Sequence, residues 1–406
     1  MGVLSHIRVL DLSRILAGPW CTQMLADLGA DVIKIERPEQ GDDTRLWGPP
    51  FISGTPGQDQ GESTYFLGAN RGKRSVTLNI ADVQGQKIIR DLVSDCDVLL
   101  ENFKVGALAR YGLDYESLRP LNSRLVYCSI TGFGQDGPYA HKAGYDFMIQ
   151  GLGGLMSITG EAEDTPDAGP QKVGVAMADI VTGLYAASAI QAALIGRERT
   201  GEGQYIDMAL FDCQVAVLAN QAMAYLVGND IPIRMGNAHP NIVPYQVFAT
   251  RDSHVILAVG NDIQFARFCA LASCAELADD ARFARNQDRV RNRVELVAKL
   301  TQVMAGRSTA QWLEQLEPEG IPCGRINRID EALNDPQVAH RQMRVSAQHA
   351  SLGEMELLSS PMKLRGTPPQ VTRAPPLLGE HTDEVLSQFL NYSEEQIQQL
   401  RSDRVI

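Results

Sequence analysis

Apolar runs alternate with helical patterns through the first 130 residues of the chain. The predicted strands are 7–12, 31–36, 75–79, 96–100 and 124–130, and the clearest predicted helices between them are 19–29 and 83–94. Strands that are separated by helices are joined by crossover connections, which give a parallel sheet. The pattern therefore predicts a doubly wound α/β fold.

The pattern changes in the middle of the chain. Helices 179–194 and 212–227, with a strand at 205–209, complete the first segment, and a polar, proline-punctuated stretch follows at 229–244. A short hairpin (245–250 with 255–259) and helices 262–272, 289–304 and 309–317 come next, which is typical of a small α+β domain. We predict a large domain over residues 1–228, a small domain over 229–329 and a C-terminal segment over 330–406.

Composition narrows the class of protein. The 406 residues are 44% hydrophobic and carry a net charge of -12, which disfavours binding to nucleic acid or to a membrane surface. We find no signal peptide and no run of 18 apolar residues, so we expect a soluble protein without a membrane span. The seven cysteines form no CxxC pair and the seven histidines share no ligand spacing. We therefore expect reduced thiols, a cytoplasmic location and no metal site.

One glycine motif is misleading. Residues 132–137 (GFGQDG) fit the G-x-G-x-x-G pattern and follow a predicted strand, but Pro138 comes next and no helix opens there. Pyrophosphate binding needs the N–H groups of a helix start at this point. We do not expect a nicotinamide or flavin cofactor.

Asp179 is a candidate catalytic residue. Its neighbours in residues 174–183 are small or apolar, so a carboxylate there is costly unless it is hydrogen-bonded or functional. The alternative is that Asp179 is the N-cap of the helix that follows. The residues alone leave both readings open, and they are compatible.

Local cations gather despite the acidic total. They are Arg37, Arg71, Lys73, Arg74, Lys104, Arg110 and Lys142. Several follow predicted parallel strands, where ligands of open α/β sheets bind, which favours an anionic ligand over ordinary solvated charge. His239 is either a histidine that caps its loop or lies at the surface, or a site residue, and the residues alone leave both interpretations open.

Several motifs taken together resemble the family III CoA-transferases of the formyl-CoA transferase type. They are residues 9–12 (VLDL), 17–19 (AGP), 29–36 (GADVIKIE), 41–45 (GDDTR), 70–75 (NRGKRS), 101–103 (ENF), 132–134 (GFG), 200–204 (TGEGQ), 320–324 (GIPCG) and 377–382 (LLGEHT). The resemblance implies a Rossmann-like large domain built from N- and C-terminal segments, a smaller α+β domain, and a homodimer of interlocked rings. It also implies that acyl-CoA is a substrate and that no cofactor is permanently bound.

The family's catalytic aspartate matches Asp179. By resemblance, its carboxylate forms a mixed anhydride with the acyl group and then an aspartyl-CoA thioester. The positions that match the family's CoA contacts are Ile15, Leu16, Arg37, Leu78, Asn79, Ile80, Ala81, Asn102, Phe103, Arg110, Lys142 and Tyr145.

Departures from the formyl-CoA transferases argue against formyl-CoA and oxalate as substrates. A glutamine of those enzymes is Leu16 here, a lysine is Ala81, and residues 236–241 stand near the place of a run of glycines. Residues 48–51 (GPPF), 127–132 (YCSITG), 143–146 (AGYD) and 243–246 (VPYQ) are similar to the branch that moves CoA between succinate and glutarate-type dicarboxylates. Our hypothesis is that Asn237 and His239 bind the distal carboxylate, on a small-domain loop facing Asp179.

Two other functions are possible. The α-methylacyl-CoA racemases share the fold but have a Gly-His-Asp motif, which matches residues 144–146 (GYD) here, and the tyrosine is a poor base near neutral pH. The other alternative is a non-catalytic acyl-CoA-binding protein in which Asp179 is only a cap.

Overall fold

The structure, a computed structural model, describes residues 2–53 and 61–406. The chain forms two units. Unit 1 comprises Met1–Leu155, Val173–Asn220 and Pro336–Ile406, and unit 2 comprises Met156–Lys172 and Gln221–Asp335. The predicted boundaries at 228 and 330 differ from these by a few residues, and the membership of 156–172 in unit 2 was not predicted. Residues 54–60, which fall between the second and third predicted strands, lie outside the described residues.

The elements follow the chain in this order. The strands are β1 (Arg8–Asp11), β2 (Asp31–Glu36), β3 (Phe51–Ile52), β4 (Glu62–Ser63), β5 (Lys73–Thr77), β6 (Val98–Glu101), β7 (Val126–Thr131), β8 (Tyr205–Ala209), β9 (Tyr245–Ala249), β10 (His254–Ala258), β11 (Cys323–Gly324), β12 (Arg344–His349) and β13 (Gly353–Leu358). The helices are α1 (Ala17–Asp27), α2 (Thr64–Ala69), α3 (Val83–Val93), α4 (Tyr115–Leu118), α5 (Asp146–Leu152), α6 (Met177–Thr200), α7 (Leu210–Ala216), α8 (Ala219–Leu226), α9 (Asp262–Leu271), α10 (Glu276–Asp279), α11 (Asn286–Arg291), α12 (Arg293–Met304), α13 (Thr309–Leu316), α14 (Ile329–Leu333), α15 (Pro336–His340), α16 (Thr382–Leu390) and α17 (Glu394–Ser402). Short 3₁₀ turns occur at Asp43–Leu46, Leu108–Tyr111 and Leu155–Ile158.

Unit 1 is built on a parallel sheet. Six of the described strands pair in the order β5-β2-β1-β6-β7-β8, and every pairing is parallel. The chain moves outward from β1 on one side and resumes at β6 on the other, so the strand order reverses between β1 and β6. Ligands of open α/β sheets bind at such a switch point, beyond the carboxyl ends of the strands. The predicted α/β fold with a parallel sheet is confirmed.

Both faces of this sheet are covered by apolar side chains. On one face, α1 and α6 contribute Leu25 and Ile190 to the core. On the other face, α3 packs with the C-terminal helices α16 and α17 through Ile88, Val385 and Leu400. Because central parallel strands are buried on both faces, they are continuously apolar, and this explains why the strands were predictable.

Helix α6 is long and apolar enough, by length and composition, to cross a membrane. Its small residues, such as Ala178, Ala186 and Ala187, are fully buried in the core of unit 1. A core helix passes the same test of length and composition, and we interpret α6 as one.

Unit 2 has its own core and a small antiparallel sheet. The sheet order is β11-β10-β9, in which β9 and β10 form the predicted hairpin and β11 pairs with the other edge of β10. Phe265, Phe268 and Trp312 from the surrounding helices are buried against it. The predicted α+β character of this region is confirmed.

One predicted helix is wrong in detail. Residues 212–227 were expected to form one helix, but α7 ends at Ala216 and α8 begins at Ala219. The φ of Ala219 is +46°, a left-handed value that interrupts a right-handed helix. Nothing in the alternation of apolar residues signals such a break.

Candidate active site

Two adjoining cavities lie at the carboxyl edge of the sheet in unit 1. Cavity A, of about 290 Å³, is lined by Leu12, Arg14, Lys34, Ile35, Glu36, Arg37, Gly41, Asp42, Leu78, Asn79, Ile80, Ala81, Phe103, Ala107, Arg110 and Tyr111. Cavity B, of about 410 Å³, is lined by Arg14, Ile15, Leu16, Ala17, Asn102, Phe103, Lys104, Val105, Ala107, Arg110, Ile130, Thr131, Gly132, Ala140, His141, Lys142, Ala143, Gly144, Tyr145, Asp146, Asp179 and Leu210. Four residues are common to both sets, so the two cavities form one continuous site around the switch point.

Cations dominate the accessible charge of this site. Arg14, Arg37 and Arg110 line cavity A, and of these Arg14 is paired with Asp43 at 2.7 Å. Its two acidic residues are already engaged, because Glu36 is paired with Arg45 and Asp42 with Lys34. Guanidinium groups suit phosphate oxygens, so cavity A can bind a polyanion although the chain as a whole is acidic.

Asp179 lies in the first turn of α6 and lines cavity B. The helix is capped by another residue, because Asp146 Oδ1 accepts the N–H of Ala178 at 2.8 Å and that of Asp179 at 3.4 Å. Gln150 Nε2 donates to Asp146 Oδ2 at 2.8 Å, and Gln150 Oε1 accepts the N–H of Val173 at 2.9 Å. The reading of Asp179 as the N-cap is therefore wrong, since Asp146 performs that task.

The surroundings of Asp179 raise the pKa of its carboxyl group to near neutral pH. Burial raises the pKa of Asp179 to about 7, and the negative charge of Asp146 contributes further to the rise. A carboxylate whose pKa is raised to the working pH, and which lines a cavity, is a candidate for covalent or acid–base chemistry.

The loops that follow β1 and β6 are joined to each other beneath the site. The side chain of Asn102 accepts the N–H of Arg14 at 2.9 Å and donates to the carbonyl oxygen of Arg14 at 2.8 Å. Both hydrogen-bonding functions of this amide are therefore used to hold the loop after β1. Asn102 has a structural task in addition to its position at the wall of cavity B.

The structure brings the predicted CoA contacts together around the two cavities. Those in the wall of cavity A are Arg37, Leu78, Asn79, Ile80, Ala81, Phe103 and Arg110. Those in the wall of cavity B are Ile15, Leu16, Asn102, Phe103, Arg110, Lys142 and Tyr145, together with Asp179. Their contact with CoA stays a prediction.

Three of the cations that were expected near a ligand are elsewhere. Lys73 is fully buried and donates to Asp11 at 3.1 Å. Arg71 is paired with Asp27 at 2.5 Å, and Arg74 is paired with Asp31. Their positive charges are neutralised inside unit 1, so these three residues support the fold and do not add to the positive charge at the cavities.

Asn237 and His239 belong to unit 2. His239 Nδ1 accepts the N–H of Asn241 at 3.0 Å, and its ring contacts that of Tyr245 with 5.2 Å between centroids. Arg293 donates to the carbonyl oxygen of His239 at 3.3 Å. His239 thus caps its own loop, as one of the two interpretations held. The proposed role of both residues toward a substrate stays a prediction.

Sequence reasoning missed the residues that position the candidate nucleophile. Asp146 stands in one of the quoted motifs, and Gln150 follows it at i+4 on α5, a spacing that predicts contact between the two side chains. The charge of Asp179 also contributes, after burial, to a raised pKa of Tyr65, which keeps this phenol neutral near the site. Nothing in the sequence indicated the proximity of Tyr65.

The local structure around the glycine motif agrees with the prediction. Residues 132–137 are followed by a loop, and α5 begins only at Asp146. Among the described residues, no group of three or more acidic, histidine or cysteine side chains is arranged to hold a metal ion.

Comparisons with known proteins agree on one family. Residues 4–382 match the model of CoA-transferase family III. The chain is similar to the succinate–glutarate CoA-transferase of Agrobacterium fabrum, with 51% identity over 95% of each chain. It is also similar to the human succinyl-CoA:glutarate CoA-transferase, with 43% identity over 99% of this chain and 90% of the human protein. A CAIB/BAIF family protein from Brucella suis has a similar solved structure, with a TM-score of 0.84, 49% identity and coverage of 96% and 99%.

Proposed function

Because the chain belongs to CoA-transferase family III, we propose that it transfers CoA from succinyl-CoA to a free dicarboxylate such as glutarate. The names of the relatives from Agrobacterium fabrum and human support this pair of substrates. The observation that carries the proposal is the carboxylate of Asp179, with its pKa raised to about 7, in the wall of a cavity that adjoins a cationic one.

We propose that the reaction proceeds through covalent intermediates on Asp179. Its carboxylate attacks the thioester carbonyl of succinyl-CoA, CoA leaves as a thiolate, and a mixed anhydride forms. The thiolate then attacks the Asp179 carbonyl carbon, which releases succinate and leaves an aspartyl-CoA thioester. The acceptor carboxylate attacks this thioester to form a new anhydride and free thiolate. A final attack by the thiolate on the acyl carbon gives the new acyl-CoA and restores Asp179.

The two cavities suit the two ends of CoA. We propose that the adenosine and phosphate groups occupy cavity A, where Arg37 and Arg110 offer guanidinium groups. The pantetheine arm would then run past Phe103, which is common to both cavities, toward Asp179 in cavity B.

The racemase alternative is disfavoured by the residue at the position of the expected base. Tyr145 stands there, with 64% of its surface exposed, where the racemases have a histidine. We propose that Tyr145 contacts CoA and is not a proton acceptor. Asn237 and His239 remain our candidates for binding the distal carboxylate of the acceptor, and an unchanged KM for every dicarboxylate in H239A would exclude His239 from that role.

We further propose that the active enzyme is a homodimer of interlocked rings. Support comes from large apolar side chains exposed on unit 1, because extended exposed apolar surface marks association sites. They include Phe147, Leu152, Leu184, Tyr185 and Ile195. An active monomer at nanomolar concentration would contradict this. The seven cysteines are all free, which supports our proposal that the enzyme works in the reducing cytoplasm.

Trapping the acyl-enzyme tests the proposal. The chain is mixed with succinyl-CoA, treated with hydroxylamine and digested, and the peptide that contains residue 179 is examined by mass spectrometry. The expected result is conversion of Asp179 to its hydroxamate, only when succinyl-CoA was present. A non-catalytic acyl-CoA-binding protein would form no hydroxamate. Modification of another carboxylate would show that a residue other than Asp179 is the nucleophile.

A further inference from the structure

Ile15 has a backbone conformation that β-branched residues rarely adopt. Its φ is +71°, in the left-handed region, and it lies in the loop between β1 and α1. This conformation brings Cβ close to the following carbonyl oxygen, so it persists only where the surroundings hold it. Ile15 lines cavity B together with Leu16, Ala17 and Asp179. A strained residue at such a place motivates a functional explanation.

The group that holds Ile15 is the carboxylate of Asp42. Both of its oxygens accept the N–H of Ile15, each at 3.2 Å. Oδ1 also accepts the N–H of Thr44 at 3.0 Å and its hydroxyl at 2.8 Å, and Oδ2 accepts Lys34 Nζ at 2.9 Å. The side chains of Asp42 and Lys34 are both fully buried. The carboxylate is therefore a fixed point from which the loop is held.

The residues before Ile15 are held by other groups. The carbonyl oxygen of Ser13 accepts Lys34 Nζ at 2.8 Å, and the N–H of Ser13 donates to Asp11 at 2.9 Å. Arg14 is bound through its backbone by Asn102. Of these three loop residues, the strained Ile15 is thus the one to which Asp42 is hydrogen-bonded. Ile15 is followed by Leu16 and then by the first residue of α1, Ala17.

We propose that Asp42 is a positioning residue for CoA transfer, which holds Ile15 in its left-handed conformation and thereby aims the Leu16–Ala17 segment into cavity B beside Asp179. Relaxation of Ile15 to an ordinary φ would turn the following peptide groups away from their present direction. Asp42 also lines cavity A. The proposal rests on the proposed function, because it assigns Asp42 a task in the reaction at Asp179.

A double-mutant cycle tests this proposal. D42N keeps the size of the side chain but replaces one accepting oxygen with an amide group and removes the charge. A glycine at position 15 adopts a φ of +71° without strain, so I15G removes the need for a holding group. The kcat and both KM values are measured for transfer from succinyl-CoA to glutarate in the wild type, both single variants and the double variant.

The expected result is that the effect of D42N depends on residue 15. In the wild-type background, D42N lowers kcat by about 100-fold, the scale of loss from a misaligned reacting group. In the I15G background, the same change lowers kcat only a few-fold. An equal loss in both backgrounds would show that Asp42 acts by supporting Lys34 or the fold in general, and would overturn the proposal.

Two further variants guard against trivial outcomes. D27N removes an equally buried carboxylate, paired with Arg71 at the far end of α1, and should leave kcat unchanged. If D42N does not fold, T44V removes one hydrogen bond to Asp42, at 2.8 Å, and leaves its charge. T44V should lower kcat less than D42N is expected to do, again with a smaller effect in I15G, and an equal effect in both backgrounds counts against the proposal.

Failure of this inference can be told apart from failure of the proposed function. If the wild type forms no adduct on Asp179, the covalent mechanism is wrong whatever the cycle shows. If Asp179 is modified and D27N is active, but D42N and I15G act independently, then only the role of Asp42 is wrong.

Discussion

Two sets of carboxylates near the same edge of the sheet have opposite surroundings. Around cavity A, burial alone would raise the pKa of Asp11 and Asp42, but the charges of Lys73 and Lys34, together with hydrogen bonds, outweigh it and hold both pKa values below their usual range. At cavity B, burial and Asp146 act in the same direction, and the pKa of Asp179 rises to about 7.

The comparison separates a structural carboxylate from a reactive one. A buried acid that is paired with a cation contributes to the fold and is poorly nucleophilic, because its charge is already bound. A buried carboxylate that lies near another carboxylate has an unfavourable negative charge. Bond formation to an acyl group neutralises that charge and so lowers the free energy of the side chain in its site. Burial by itself therefore says little about function, whereas the sign of the neighbouring charge says a great deal.

The largest expected effect comes from removing the carboxylate that we propose as the nucleophile, that of Asp179. D179N preserves the shape of the side chain but lacks the carboxylate, so we expect kcat for CoA transfer to fall by at least about 10⁴-fold. Product formation is followed by mass with succinyl-CoA and glutarate. D212N, in the first turn of α7 and exposed, is the matched control and should retain full activity. Undiminished turnover in D179N would show that Asp179 is not the nucleophile.

The second effect concerns a paired carboxylate. Asp11 accepts Lys73 Nζ at 3.1 Å, Ser13 Oγ at 2.5 Å and Thr22 Oγ1 at 2.5 Å, and it is fully buried. D11N leaves the buried Lys73 without its counter-charge, so the free energy of unfolding should fall by about 3–5 kcal/mol.

Urea unfolding at neutral pH measures this change. The control is D91N, which breaks the exposed pair of Lys87 and Asp91 on α3 and should cost less than about 1 kcal/mol. If D11N lowered the free energy of unfolding no more than D91N, the buried ion pairs around cavity A would not be stabilising the fold.

The pH dependence of the reaction gives a third test. Since the nucleophile must be ionised, kcat/KM for succinyl-CoA should fall as the pH drops through about 7, the pKa of Asp179. In D146N the negative neighbour is lost, the pKa of Asp179 falls, and activity should persist to lower pH. Asp179 is still buried in D146N, so the pH at which kcat/KM falls should remain above that expected for an exposed aspartate.

The variants differ in what else they change. The amide oxygen in D146N can still accept the N–H of Ala178, so the start of α6 is retained. D136N removes an exposed carboxylate from the loop after β7 and should leave the pH profile unchanged. If kcat/KM fell at the same pH in D146N as in the wild type, Asp146 would not act on Asp179 through its charge.

The sequence predicted the sheet well because central parallel strands are apolar throughout, so β2 was found at its observed bounds, Asp31–Glu36. Asp179 and the proposed CoA contacts, which the family resemblance selected, all line the two cavities in the structure. The positions of positive charge alone did not distinguish Arg37, in a cavity wall, from Lys73, in a buried ion pair, because partners distant in sequence decide that. The roles of Asp42 and Asp146 depend on contacts across 27 and 32 residues, and no local pattern encodes them.

The smallest expected effect is a gain in stability when the reactive carboxylate is removed. The pKa of Asp179 is higher in the folded chain than in the unfolded chain, so its protonated form favours folding. This contribution is complete below the unfolded pKa and is lost as the pH rises through about 7.

At pH 8 the folded state therefore holds an unfavourable charge that D179N lacks. Because Asp179 is partly exposed, we expect D179N to gain only about 1 kcal/mol at pH 8. The gain should be smaller at pH 5, which lies between the unfolded and folded pKa values, so that only part of the contribution is lost there. Thermal unfolding at the two pH values measures the difference. An equal change at both would mean that the gain comes from packing and not from charge, while a loss at pH 8 would place Asp179 with the paired carboxylates around cavity A.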